Sequence, residues 1–230
     1  VAPSGSRPDL RGVDGCFEVI DQLAGTALPA STWMRAVLPA RVDDASDAVL
    51  DQLIASGDVV WWGLSPLSGG DGVVALAPAD RVAALRTPPV VDLDDAQQQV
   101  VDVLASSGAV FFRDLADRVG VGASGSVLAT DTDLLETLWS LVWAGHVTND
   151  GWAALRARIA GTATRSAPRV RRGRPGLPSR SGPPSGAGRW SLLPGGTSDP
   201  TTTGTAIAQA LLDRHGIVTR GTVASERIDG

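Results

Sequence analysis

The apolar residues of this 230-residue chain first recur with a helical period. Val13, Cys16, Phe17, Ile20 and Leu23 share one face, and Gly25 ends the run. Pro29 opens a second, shorter helix through Trp33, Met34 and Val37, closed by Pro39. Asp43 or Asp44 stands where it can cap a third helix carrying Val49, Leu50, Leu53 and Ile54, with Gly57 as its stop. The period then changes to two. Val59-Val60-Trp61-Trp62-Gly63-Leu64 reads as a strand, a turn-rich stretch follows, and Val73-Val74-Ala75-Leu76 is the return strand.

The order comes back after about 85 residues. Asp94 or Asp95 caps a helix with Val100, Val101, Val103 and Leu104, and Ala109 to Phe112 is a short strand. Arg113 to Val119 forms a second helix, and Asp131 caps a third with Leu134, Leu135, Leu138, Leu141 and Val142. Gly145 stops it, His146 to Asn149 is a strand, and Trp152 to Ile159 reads as helical. Residues 162–189 hold Arg, Pro, Gly and Ser with few large apolar side chains, the composition of a disordered linker. Order resumes at Arg189-Trp190-Ser191-Leu192-Leu193, followed by a helix from about Thr205 to Arg214 and the start of another near Arg220.

Helices followed by a hairpin make the winged helix, a relative of the helix-turn-helix. The predicted fold is therefore mostly α with small β-hairpins, built as tandem winged-helix domains. Module 1 covers 1–88, module 2 covers 89–161, the linker 162–189, and a partial third module 190–230.

Charge adds a division of labour. The net charge is -5, but residues 1–150 carry 8 Arg against 21 acids, 151–198 carry 9 Arg and no acid, and 199–230 are near balance. An acidic globular part is thus followed by a basic arm, the usual mark of an interaction segment. Arg165, Arg169, Arg171, Arg172, Arg174, Arg180 and Arg189 are the candidate nucleic-acid contacts, since each phosphate neutralised releases counterions. An inert solubilising linker is the competing reading, because arginine clusters attract any polyanion. The third helices point the other way. One carries Asp44, Asp47, Asp51 and Asp58, the other Asp131, Asp133 and Glu136, and neither carries Arg. A helix that reads bases brings Arg, Lys, Asn or Gln to the major groove. The first two modules are accordingly expected to act as scaffolds or protein contacts.

All 20 basic residues are Arg, and Tyr is absent. With no Lys there is neither a phosphate-loop lysine nor a Schiff-base amine. A single cysteine, Cys16, excludes an internal disulfide and a cysteine-based metal cluster. No metal site is expected. Gly120 to Gly125 matches the dinucleotide fingerprint as a string but follows a predicted helix where that motif needs a strand, so it reads as a loop. His146 and His215 sit at helix C-termini, where the dipole favours imidazole. The paired carboxylates 43/44, 94/95 and 131/133 precede helices and read as caps, and Gln97 and Gln99 as a solvated helix face. Trp61 and Trp62 point to opposite faces of one strand, so one is expected at an interface or stacked on a base. No catalytic residue is assigned. No membrane span and no signal peptide are read, and the cytoplasm is the expected compartment.

Four segments carry a resemblance: "PDLRGVDG…VIDQLAG", "LPAR…LDQLIASGDVVW", "DLLETLWSLVWAGHVTND" and "GRWSLLP…ALLDRHGIVTRGTVASE". They resemble the C-terminal region of the large helicase-related (Lhr) superfamily 2 DNA helicases. The resemblance implies a non-catalytic winged-helix region of an ATP-dependent 3′–5′ helicase of DNA repair. ATP and Mg would belong to motor domains outside these residues. The implied partners are DNA, single-stranded or forked, and the motor domains or other winged-helix modules, with no membrane. The alternatives are a transcription-regulator-like or protein-interaction winged-helix pair, and an auxiliary part of a DNA-glycosylase-like region.

Overall fold

A computed structural model of the chain describes residues 10–86, 92–165, 182–196 and 199–226. The first unit opens with α1 (Gly12–Gln22), which buries Cys16, Val19 and Ile20 at the expected spacing. A two-residue strand, β1 (Leu28–Pro29), leads into α2 (Ala30–Thr32), which runs on as a π-helical turn, Trp33–Val37. The third helix, α3 (Asp47–Ser56), is capped by the Ser46 hydroxyl, which accepts from the Val49 N–H at 3.4 Å. Asp43 and Asp44 stand upstream of that cap. Gly57, at φ +84°, ends α3 in the left-handed conformation that glycine adopts without steric cost. The hairpin follows as β2 (Val59–Pro66) and β3 (Gly72–Pro78), with a bulge between Gly63 and Ser65. β1 pairs with the far side of β3, giving the order β1-β3-β2. The short helix α4 (Ala79–Leu85) closes the unit.

The second unit repeats this arrangement. It comprises α5 (Asp95–Ser107), β4 (Val110–Phe111), α6 (Phe112–Arg118), α7 (Asp131–Trp143) and β5 (Val147–Asn149). Asp94 caps α5 as expected, with Gln97 completing a capping box. α7 is capped by Thr130, with Asp133 reaching back; Asp131 lies one residue inside. The helix expected over 152–159 extends as α8 (Ala153–Arg165).

The largest correction concerns the segment read as linker and the start of a third module. The strand β6 (Arg189–Leu192) pairs with both β4 and β5, in the order β4-β6-β5. It is the second unit's return strand, the counterpart of β3. Residues 182–188, at the end of the expected linker, are built into the same unit. The Trp139 indole donates to the Ser185 carbonyl at 3.0 Å, and the Asn149 side-chain amide donates to Ala187 at 2.9 Å. Their small side chains look like disorder in a composition, yet they serve close approach. A Cβ on Gly186 would lie 2.9 Å from the Phe112 ring. The rest of the linker reading, residues 166–181, lies outside the described residues.

After β6 come α9 (Pro200–His215), capped by Asp199, and α10 (Arg220–Ser225). α9 packs on α4 and α1 of the first unit, and Arg81 bridges Asp21 and Asp213 there.

One continuous apolar core runs from Cys16 through Trp139 to Trp190, so the two units are fused through their interiors. Trp61 belongs to it. Trp62 points to the opposite face, into a smaller cluster with Ala24, Ala75, Ala77, Val82 and Leu193. Both indoles are buried, at 0% and 3% exposure, which leaves no ring face for a base. The hairpin of the first unit lies directly against the end of α7. A Cβ on Gly63 would sit 2.5 Å from the Val142 carbonyl oxygen and 2.8 Å from the Trp143 ring. Gly63→Ala is therefore expected to destabilise the chain by about 1–3 kcal/mol, the usual effect of overpacking. A urea denaturation curve with an unchanged midpoint would contradict this packing.

Candidate functional site

The acidic third helices of both units meet at α8, through two arginines that are not among the candidate nucleic-acid contacts. Arg156 and Arg158 are two positions apart, about 200° around an α-helix, and so face opposite ways. Each reaches the third helix of a different unit. Arg156 pairs with Asp51 through both carboxylate oxygens and with Asp47 at 3.3 Å, residues one turn apart on α3. The Asp51 carboxylate also accepts the Trp152 backbone N–H at 2.8 Å, placing an anion at the start of α8 where the helix dipole favours it. On the other side Arg158 makes a two-pronged contact to Glu136 of α7, 3.2 and 3.4 Å, with its guanidinium 5.0 Å from the centre of the Trp139 ring. Asp131 of α7 is held by Arg113 at 2.7 Å.

Aromatic packing reinforces the junction. The rings of Trp61 and Trp152 lie 5.8 Å apart, the Trp61 indole N–H donates to the Asn149 carbonyl at 3.0 Å, and Thr148 donates to the Trp61 carbonyl at 2.7 Å. The edge strands β2 and β5 are thus stitched by side chains. Asp47, Asp51 and Glu136 are counter-charges for α8 and Asp131 for α6, a role their spacing in sequence does not reveal, while Asp133 serves the α7 cap and Asp44 and Asp58 lie outside α3.

Arg189 lies on β6, and its guanidinium pairs with Asp150 at 2.5 Å. Arg165 ends α8, and Arg169, Arg171, Arg172, Arg174 and Arg180 lie outside the described residues. Gln97 donates to Ser140 and Gln99 to the Val119 carbonyl, so both hold the second unit together instead of facing solvent. Gly120, Gly122 and Gly125 all have positive φ and form the loop between α6 and α7. His215 pairs with Glu226 at 2.8 Å. No group of three or more metal-ligating side chains occurs among the described residues.

Sequence reasoning missed Arg86. It is only 6% exposed and donates across the junction to the Gly145 carbonyl at 3.0 Å, at the C-terminus of α7. Burial pulls its guanidinium below the usual arginine value. Burial also lowers His146, and the charge of Arg86 lowers it further. A half-open cavity of about 220 Å³ borders Arg86, lined also by Trp62, Leu64, Leu85 and Trp143.

Residues 2–79 match the family model described as "Large helicase-related protein, winged-helix domain". The chain is 43% identical over 235 residues to the Lhr helicase/uracil glycosylase of Escherichia coli. It is 38% identical over 230 residues to the Lhr helicase/probable uracil glycosylase of Mycolicibacterium smegmatis. Each match covers 95% of this chain. The chain belongs to the Lhr family. It spans about 15% of the length of either relative. The Lhr winged-helix match takes in α1 through β3, the first unit, and the two-relative similarity extends over the second unit and α9. No helix among the described residues is long and apolar enough to cross a membrane.

Asp51 and Glu136 provide a graded test of the junction. Asp51 is two-thirds buried and serves both Arg156 and the Trp152 amide, so Asp51→Ala should cost about 1–3 kcal/mol of stability in urea denaturation. Glu136 is 60% exposed, and Glu136→Ala should cost less than about 1 kcal/mol. The reverse ranking would refute the assignment. His146 makes a pH prediction. Its folded pKa lies below its unfolded value of about 6.5, so the unfolded state takes up the proton first. Stability should fall as pH drops below about 6.5, and His146→Gln should flatten that part of the profile. Equal slopes for both proteins would exclude His146 as the source.

Proposed function

We propose that this Lhr-family region is a non-catalytic scaffold, in which a winged-helix domain is fused to a second winged helix so that neither third helix is free to read duplex DNA. The observation that carries the reading is the pairing of Asp47 and Asp51 with Arg156, and of Glu136 with Arg158. A helix whose charged face is matched to another helix of the same chain is a packing element, and acids at a groove would be repelled by phosphate. The repeated strand orders, β1-β3-β2 and β4-β6-β5, support the second winged helix.

Nucleic-acid contact then falls to the basic stretch that leaves α8. Arg165, Arg169, Arg171, Arg172, Arg174 and Arg180 follow one another with no acid between 151 and 198. Single-stranded or forked DNA is the partner this chemistry suits, bound through phosphates without base readout. Both relatives are named as helicases, and one as a uracil glycosylase. ATP-driven 3′–5′ unwinding in DNA repair is assigned to motor domains elsewhere in the parent protein, with ATP and Mg held there. A nucleotide site of the lysine type does not fit these residues, which include no Lys. The parent is taken to work in the cytoplasm.

Electrophoretic shift with labelled single-stranded DNA tests the reading. Replacing Arg169, Arg171, Arg172, Arg174 and Arg180 by Ser should weaken binding at low salt. The slope of log affinity against log salt should fall by about 0.7 for each phosphate no longer neutralised. Unchanged affinity and slope would remove the stretch from the interface and leave it a spacer.

A further inference from the structure

The joint between the units is held at two places by different chemistry. At α8 the guanidinium groups meet carboxylates, Arg156 on Asp47 and Asp51 and Arg158 on Glu136. Past the C-terminus of α7 the first unit's Arg86, which follows α4, crosses over and donates to the Gly145 carbonyl at 3.0 Å. Its Nε–H is buried and has no acceptor among the described residues. His146 comes directly after Gly145. Its backbone carbonyl accepts the Leu193 N–H at 2.9 Å, and its Nε2 is buried without a partner. A neutral imidazole carries an N–H on one ring nitrogen, whereas imidazolium donates from both. An N–H at Nε2 would find no acceptor in this packing, and its charge would stand in the repelling field of Arg86.

The neighbouring elements supply no carboxylate to offset a second cation. β2 and β3 carry no ionisable side chain. On α4, Asp80 and Arg81 lie in the first turn, away from Arg86, and Arg81 is engaged with Asp21 of α1 and Asp213 of α9. On α7, Asp131, Asp133 and Glu136 lie in the first half of the helix. Asp150 after β5 and Arg189 on β6 pair with each other. No acid lines the cavity beside Arg86. Two basic side chains thus stand together where Arg86 has one carbonyl for a partner and the imidazole Nε2 has none.

We propose that this contact is a proton-operated latch: a proton on His146 expels the Arg86 guanidinium from the Gly145 carbonyl and parts α4 from the end of α7, while the α8 contacts stay closed. Protonation adds a second buried cation, and withdrawing Arg86 into water relieves the site of the first. The chain has two histidines, His146 and His215, so the α8 contacts contain no imidazole. Opening uncovers Trp62 and Leu193, 3% and 7% exposed when closed, which share their cluster with Val82 of α4. The sign follows from burial. The closed form holds His146 below the free value of about 6.5, so opening takes up a proton as pH falls through that value. The open fraction then rises by up to about tenfold per pH unit. The latch does not depend on the arginine-rich stretch binding DNA.

The test follows solvent exchange of two arginine Nε–H protons by NMR in the full 230-residue chain, assigned through Arg86→Lys and Arg156→Lys. Arg86 reports the latch, and Arg156, whose Nε pairs with Asp47, reports the α8 contacts. The ratio of the two rates cancels the intrinsic pH dependence of exchange. Between about pH 8 and about pH 5, where histidine changes charge, Arg86 should lose protection relative to Arg156. The loss should reach up to about tenfold per pH unit. His146→Gln should abolish it and His215→Gln should leave it in place. The imidazole spectrum of the unmodified chain is a second readout that needs no variant to fold: His146 should titrate below about 6.5, in step with the loss at Arg86. A constant ratio, whether both contacts stay closed or both open together, overturns the proposal. So does the same loss in His146→Gln, its disappearance in His215→Gln, or a His146 that titrates at the free value.

Discussion

The two arginines of α8 fix the geometry of everything around them. Arg156 and Arg158 leave the helix in opposite directions and land on the third helices of different units. Asp51 accepts both the guanidinium and the first amide of the α8 segment, so the helix cannot shift without breaking contacts of both kinds. Partly buried, multiply bonded ion pairs hold geometry better than isolated surface pairs, which contribute little. Around this electrostatic pin the apolar contacts close: Trp152 on Trp61, and Trp143 over the glycines of the first hairpin. The result is one core that crosses the boundary a domain count would draw.

Local rules made most of the elements legible. The face of Cys16, Val19 and Ile20, the stop at Gly57 and the hairpin through Trp61 were readable from periodicity and turn residues. The acids on the third helices could be recognised as unsuited to DNA, though not as partners of α8, because Asp51 and Arg156 are 105 positions apart. β6 was misplaced for a related reason. A return strand normally follows its partner within a few residues, and here α8 and the arginine-rich stretch intervene between β5 and β6. The small residues of 182–188 compounded the error, since Gly182 and Gly186, packed on Phe112, stand in a Gly- and Pro-rich stretch with the composition of a linker. Arg86 gave no signal at all. It is one arginine after a short helix, and only tertiary structure shows that it is buried and reaches the Gly145 carbonyl.

This arrangement suits the proposed role of a scaffold that supplies shape. Residues 1–150 are net acidic and residues 151–198 carry nine arginines and no acid, so on the proposed reading a polyanion is held close to the basic stretch. The winged-helix match and the two relatives tie the chain to the Lhr proteins. On the proposed reading, a third helix turned to packing gives up base reading and gains a rigid joint.

Native-state hydrogen exchange measures that joint most directly. If α8 locks the two third helices together, the core amides of α3 and α7 should exchange through one common opening, with the same free energy and the same denaturant dependence. Exchange of α3 by a separate, lower-energy opening that leaves α7 protected would show two independent units and contradict the account.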